Sequence, residues 1–520
     1  MTSVTTMSIW PTTLTASGSR IISLPRLILL FVFLAPLLSC SQEREAGDIL
    51  RFGLTAMPVT LDPRFATDAA SSRINRLLYQ RLVDFDEAYR PVPALASWRQ
   101  LTPRHYRFRL EAAQFSNGEP LTSTDVEATF TYILDEAHAS PHRMALSRIE
   151  RMEVVDERTI DFFLARPDPL FPGRLGIGIL PAALISADHP FNRRPMGSGP
   201  FAFESWEEGA RLRLRRHRDG QVFEFVKVHD PTVRVLKLLR GEIDMLQNDL
   251  PPELVEYLRG QEGIQVMTGA GSNFAYLGFN MRDEVAGDPR VRRAIAHALD
   301  REAIIANVMG QAARPAVSLL PPDHWSSDPA LPPIGHDLRA ARRLLAAAGY
   351  DDAHPARLVY KTSSDPFRLR LATIIQHQLA RAGIEVTLKS YDWGTFYGDI
   401  KAGRFQMYSL MWVGIKLPDI YRYVFHSSAV PPAGANRGRF ASPVADQFIE
   451  RAEAGLSLEE QARYYGSLQG YLQEQLPYVP LWYEDHVFAA RADIAGYRLA
   501  RDGNYDGLES VYRSGREKAR

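Results

Sequence analysis

Along most of the chain, apolar residues recur at two rhythms, one of period two and one near 3.6, which predicts strands interleaved with helices. Residues 49–54 are apolar and alternating, a strand broken by Leu61-Asp62-Pro63. Over 69–82, Ile74, Leu77, Leu78 and Leu82 share one helical face. Residues 106–110 (YRFRL) alternate as a half-buried strand, and Thr122 to Asp125 offer caps for a helix carrying Val126, Phe130 and Ile133. Residues 152–155 and 159–164 read as a hairpin turning at Asp156-Glu157. Gly197-Ser198-Gly199-Pro200 is a turn, followed by alternating strands over 201–206 and 211–217.

The second half has stronger punctuation. A helix over 234–239 stops at Gly241. Asp288-Pro289 opens a helix with Val291, Ile295, Leu299 and Ile304 on one side. Asp337 caps another, closed by Gly349. Residues 358–361 form a strand, Asp365-Pro366 opens a helix that stops at Gly383, and 384–391 form the next strand. That order and spacing predict a βαβ unit with parallel strands. A helix over 458–476 stops before Pro477, and strands over 478–483 and 487–490 return. The pattern is that of a multi-lobed α/β protein.

Composition narrows the class. The chain has 520 residues, which suggests about three domains or one large lobed fold. Hydrophobic residues make up 45% and charged residues 23%, so a disordered chain is excluded. Lys+Arg 61 balances Asp+Glu 61, so no global field draws the chain to nucleic acid. A single cysteine excludes an internal disulfide and a cysteine-rich zinc site.

The position of that cysteine matters. Residues 27–39 (LILLFVFLAPLLS) are apolar but shorter than the roughly 20 residues of a spanning helix. Arg20 and Arg26 precede them and no acid occurs before Glu43, the layout of a secretory signal. The run ends Leu37-Leu38-Ser39-Cys40, which resembles a bacterial lipobox. That resemblance implies cleavage after residue 39 and lipid on Cys40, an anchor that needs no transmembrane helix. No other stretch is apolar for 18 residues.

Catalytic patterns are missing: there is no GxxxxGK[ST], HExxH or GxSxG. His138 and His142 have helical metal spacing, but Pro141 lies between them, so they read as surface residues. The basic run 211–218 alternates with Leu212 and Leu214, a solvated strand face. The informative residues are aromatic. Many crowd between Trp393 and Phe425, and most read as core. Trp393 and Trp412 stand apart because each falls at the predicted end of a strand, where clefts open in α/β sheets.

Taken in order, the motifs resemble family 5 of the extracellular solute-binding proteins, the dipeptide and oligopeptide receptors of ABC importers. The carriers are Leu61-Asp62-Pro63, the YQRL stretch from Tyr79, FSNGEPLTSTDVEATF from Phe115, Gly197 to Phe201, and Gly241-Glu242-Ile243-Asp244. Further on come Asn280, DPRVRRAI from Asp288, Ala298 to Arg301, and LLAAAGY ending at Tyr350. The resemblance implies an α/β, two-lobed periplasmic-binding-protein-like fold with an extra inserted subdomain. After a signal peptide over 1–39, the first lobe is expected from 48–75, 192–275 and 477–513. The inserted subdomain then spans 76–191 and the second lobe 276–476. It also implies a lipid-anchored monomer on the periplasmic face of the bacterial envelope. Such a receptor closes on a peptide or peptide-like solute and hands it to an ABC permease, with no enzymatic activity, cofactor, metal or nucleic acid.

Ligand contacts expected from the resemblance are Trp393 and Trp412 by stacking, Tyr276 near the hinge strand, and Asn248 as a polar contact. Ser71 and Ser72 are expected to donate from the first lobe. In peptide-binding relatives an Asp three residues after the matching Trp holds the ligand's amino group. Here that position is Ile415, and Asp419 stands four residues further on. The resemblance therefore departs at the ligand-charge site, and a solute other than an ordinary free-amino peptide is expected. Alternatives are a receptor for a metal complex, with His426 and Arg437 or Arg439 reading an anion, a haem receptor, or a sensory receptor without a permease. Ser41 in place of Asp after Cys40 disfavours inner-membrane retention.

Overall fold

Two long antiparallel strands, Ile264–Phe279 and Tyr478–Arg491, pair with each other over most of their length and carry the architecture. The computed structural model describes residues 49–514. Among these residues an 11-stranded mixed sheet is organised around that pair. On one side lie Met245–Gln247, Ile49–Leu54 parallel to it, and the antiparallel meander Val222–Lys227, Arg211–Arg216 and Phe201–Glu207. On the other lies Met407–Trp412, antiparallel to Ile264–Phe279, then the parallel strands Ala356–Ser363 and Ile384–Tyr391. The predicted βαβ unit is present, with helix Pro366–Arg381 between strands paired from Ala356↔Ile384 to Ser363↔Tyr391.

The central pair changes register twice, over 270–272 and again between Ala275 and Tyr276. Gly269 faces His486 and Asn273 faces Glu484, so 270–272 fall out of step. The strand there passes so close to its partner that a Cβ on Gly271 would lie 2.2 Å from the Glu484 carbonyl oxygen, which only glycine avoids. Gly271 N–H donates to Asp485 at 3.2 Å, and Arg314 donates to the Gly271 carbonyl at 2.6 Å. Beyond this level the strand is buried on both faces. Ala275, Leu277 and Phe279 enter one core layer, and Phe274 and Tyr276 the opposite one. This is the period of two acting on a strand with helices on both sides.

A separate four-stranded antiparallel sheet follows the order Ala96–Thr102, His105–Leu110, Thr159–Leu164, Ile149–Asp156. It includes the hairpin predicted around Asp156. Its inner face (Tyr106, Phe108, Ile160 and Phe162) packs on Val126, Phe130 and Ile133 of helix Ser123–Leu134. Asp125 fixes the start of that helix by accepting from Thr122 N–H at 2.7 Å.

Three expectations change in detail. The helix expected through Leu82 ends at Leu78, because Tyr79 is already extended. The helix opened by Asp288-Pro289 ends at Ala298, and Arg301–Val308 forms a second one. Leu299 is extended, and the Asp300 carboxylate accepts from Ala303 N–H as a new cap, so a second N-cap overrides the continuous apolar face. The two returning strands expected over 478–490 are one strand of 14 residues. Among the described residues no helix is long and apolar enough to cross a membrane. The signal peptide expected over 1–39 and Cys40 lie outside the described residues.

Candidate functional site

The parallel strands Ala356–Ser363 and Met407–Trp412 end on the same edge, since Tyr360 faces Met407 and Lys361 faces Tyr408. A cavity of about 280 Å³ opens at these carboxyl ends. Ser363, Met411, Val413, Arg368, Trp393 and Trp482 are among its walls. Arg368 comes from the first turn of helix Pro366–Arg381, whose Asp365 cap accepts from Arg368 N–H at 2.9 Å. Its guanidinium bonds Glu484 at 2.6 Å, beside the register break. Burial alone would raise the Glu484 carboxyl. The Arg368 charge and hydrogen bond outweigh it and hold the carboxyl below the usual range.

A second cavity, of about 540 Å³, lies beyond Val413, which lines both. Helix Ala69–Leu78 contributes Ser72, Arg73 and Arg76 to its wall, and the C-terminal segment contributes Asp502 and Asn504. His142 and Gly176 to Gly178 come from the chain around the four-stranded sheet, while Val413, Gly414 and Lys416 face them from the loop after Met407–Trp412. Lys416 Nζ reaches Asp502 at 2.6 Å. Burial acts to raise the Asp502 carboxyl, but Lys416 and Arg76 together hold it low. Gly414 has φ +70° and no heavy atom near the place of a Cβ, so the loop presents bare backbone here. His324 Nε2 donates to the Lys416 carbonyl at 3.1 Å, and His324 stacks on Tyr89 with ring centroids 5.3 Å apart.

The expected ligand residues fall in different places. Trp393 stands on the rim of the smaller cavity, 59% exposed, stacked on Tyr397 at 5.3 Å. Ser72 lines the larger cavity. The Trp412 ring turns to the opposite face of its strand from Met411 and Val413, as alternation requires. There it packs with Tyr423 and under Arg437, at 4.9 Å from the guanidinium carbon. Tyr276 has no exposed surface and stacks on Tyr478 at 3.9 Å, with its hydroxyl accepting from Arg437 at 3.2 Å. Asn248, at φ +60°, spends its amide on the protein's own strand: it accepts from Val487 N–H at 3.0 Å and bonds His486 Nδ1. Ser71 is buried and its hydroxyl accepts from Val59 and Thr60 N–H at 2.9 and 3.1 Å. In this conformation, then, Trp393 and Ser72 border cavity space, while Trp412, Tyr276, Asn248 and Ser71 hold its framework.

The other candidates also find protein partners. Asp419 accepts from Arg174 at 2.5 Å, so its carboxylate is already neutralised. His426 bonds Ser428 at 2.7 Å and approaches Glu450 at 3.4 Å, whereas Arg437 serves Tyr276 and Tyr397. His138 stacks on Tyr132, and His142 bonds the Ala66 carbonyl, so the two do not act as one pair. Among the described residues no group of three or more His, Cys, Asp or Glu side chains is arranged to hold a metal. Sequence reasoning missed Arg73, Arg368, Lys416 and Glu484. Each is a single charge in an unremarkable context, and only folding brings Arg73, Arg368 and Lys416 to a cavity and Glu484 to Arg368.

Two cavities walled by chain-distant segments, both lined by Val413 of one exposed loop, are the kind of space a ligand receptor offers. The model of the bacterial extracellular solute-binding proteins, family 5 Middle, matches residues 89–430, more than half of the chain. The chain belongs to that family. It is similar to di/tripeptide-binding protein 2 of Pseudomonas aeruginosa strain UCBPP-PA14, 28% identical over 489 residues, 86% of this chain and 91% of that one. The periplasmic binding protein DppA from Helicobacter pylori, solved with the peptide STSA, superposes with TM-score 0.74 at 26% identity, covering 90% of this chain and 98% of that one. NikZ from Campylobacter jejuni, solved with Ni(L-His), gives TM-score 0.77 at 22% identity over 90% and 99% of the two chains. The fold is the two-lobed α/β fold of this family, with a subdomain inserted.

Proposed function

We propose that this chain is the solute receptor of an ABC importer, capturing a peptide or peptide-like molecule by lobe closure and delivering it to a membrane permease. It acts as a binding protein and not as an enzyme. The single observation that carries the reading is Val413. It lines both cavities, the smaller one walled by Trp393 and Arg368 and the larger one by Gly414, Ser72 and Arg73. A cleft walled by opposing segments is what hinge closure around a ligand requires.

In this reading the first lobe comprises 48–75, 192–275 and 477–513, the inserted subdomain 76–191, and the second lobe 276–476. The hinge is the register break at 270–272 opposite Asp485, so that the ends of the first-lobe segments beyond it, 273–275 and 477–484, pack with the second lobe. Cys40 carries the lipid, and the protein works as a monomer on the periplasmic face of the bacterial envelope. Trp393 stacks on the ligand, Ser72 donates to it, and the Gly414 backbone is free to pair with an extended main chain. The similarity to di/tripeptide-binding protein 2 and to DppA supports a peptide-like cargo.

The test is native mass spectrometry of the protein from its own cell, followed by calorimetry with a di- to pentapeptide pool. The expected result is a bound peptide or peptide-like species of one copy per chain, with a smaller radius of gyration on binding. A protein that binds no member of the pool and carries no peptide-like species would overturn it.

A further inference from the structure

Most of the charges in the wall of the larger cavity cancel, and the exception is informative. Arg76 bonds Asp506 at 3.1 Å and Asp84 at 3.1 Å, and Arg81 pairs with the same two acids. Two cations thus share two carboxylates. Lys416 and Asp502 make a third neutral pair across the cavity. His142 is pushed toward its neutral form by burial. Arg73 is the remaining charge. Its guanidinium lies 5.4 Å from the centre of the Tyr505 ring, beside that residue's hydroxyl, and among the described residues no carboxylate stands within ion-pair distance of it. Arg73 is part-buried on helix Ala69–Leu78, in the wall of a space of about 540 Å³.

A part-buried guanidinium held beside an aromatic ring is poised to form a two-pronged bond with a planar or tetrahedral anion. Lys416 faces the same space from the loop, and its partner Asp502 is a group an incoming anion would compete with. We propose that this cavity reads an anionic group of the captured solute, a carboxylate or a phosphate, with Arg73 as the primary contact and Lys416 as the second. The inference rests on the receptor reading above and names the chemistry at one end of the cleft. A free ammonium is disfavoured there, because it would meet an uncompensated like charge.

Calorimetry on the full-length protein tests it with four probes, each made as its C-terminal amide so that only the last two carry an anion: Ala-Ala, N-acetyl-Ala-Ala, N-succinyl-Ala-Ala and N-acetyl-phosphoseryl-alanine. The last two distinguish carboxylate from phosphate. At least one acidic probe is expected to bind tenfold or more tighter than N-acetyl-Ala-Ala. In Arg73→Gln that margin is expected to shrink to within twofold, with Arg73→Lys keeping part of it. On the wild type alone, raising sodium chloride from 50 to 500 mM is expected to narrow the same margin, which covers the case of a variant that fails to fold. Acidic probes no tighter than the acetyl probe, tightest binding by Ala-Ala, or a margin that survives Arg73→Gln would each overturn the inference. If a mixed peptide pool binds while both acidic probes do not, the inference fails and the receptor reading stands. If no peptide binds at all, both fall.

Discussion

Arg174 donates to Asp419 at 2.5 Å while holding Asp168 at 2.8 Å, so one guanidinium ties the core under the four-stranded sheet to the loop that lines the cleft. Asp168 is fully buried and also pairs with Arg148 at 3.1 Å. Arg148 in turn approaches Glu453 at 3.8 Å, and Glu453 pairs with Arg422 at 2.7 Å. Three arginines and three acids therefore form one network between the chain around the four-stranded sheet and the segment from Asp419 to Glu453.

That network should favour the closed state. Replacing Asp419 by Asn leaves Arg174 its bond to Asp168 but removes the shorter of the two links, the other being Arg148 to Glu453 at 3.8 Å. The expected outcome is ligand affinity weakened by about tenfold, on the order of 1.4 kcal/mol, with little change in the melting temperature of the ligand-free protein. Calorimetry and thermal unfolding check this. Unchanged affinity would remove the network from the closure step.

Trp393 stands at the cavity rim with most of its ring in water. Trp393→Ala should cost less than about 0.5 kcal/mol of stability but weaken ligand binding roughly tenfold. Equal affinities for variant and wild type would exclude ring stacking on the ligand.

Acid should loosen the loop at Lys416. Burial depresses His324 to about 4 from its ordinary 6.5, with the Lys416 carbonyl and Asp86 opposing and Arg90 adding to the shift. The folded state therefore prefers the neutral ring. Between those two values the unfolded chain binds more protons, so stability is complete above about pH 6.5 and falls as the pH drops toward 4, by on the order of 3 kcal/mol. Melting temperatures from pH 7 to pH 4.5 should fall more steeply for the wild type than for His324→Gln. Parallel curves would show that His324 does not drive the loss.

Gly271 tests the hinge. A side chain there meets the Glu484 carbonyl at less than contact distance, so Gly271→Val should destabilise the protein by about 2 kcal/mol or more. Solution scattering with and without ligand should then show a smaller change on binding than in the wild type. An unaltered response would place the flexion elsewhere.

Much of the architecture was legible because its signals are local. Caps such as Asp288 and Asp365 followed by Pro, and alternation over 106–110, are written in a few neighbouring residues. The strand Ile264–Phe279 escaped notice because its interior (TGAGSN) breaks alternation where the register slips. The break at Leu299 was hidden by apolar residues that continue past it. Ligand residues were harder. Trp393 and Ser72 lie by a cavity, yet Trp412 and Tyr276 are set by strand parity that a pattern of aromatics does not reveal. Arg73 and Asp502 are far apart in the chain and meet at one cavity only in the folded state.

The strand Tyr478–Arg491 also fixes an order of events. The core that holds Leu50, Phe52 and Ile74 is completed by Phe488, Ala490, Leu508 and Val511, from the far end of the chain. Until the ribosome has released those last segments, the first-made part of the polypeptide has no finished interior to settle into. That first core stays unfinished for nearly the whole of synthesis, and deletion of the final forty or so residues would strip the beginning of the protein of its packing rather than merely trimming its end.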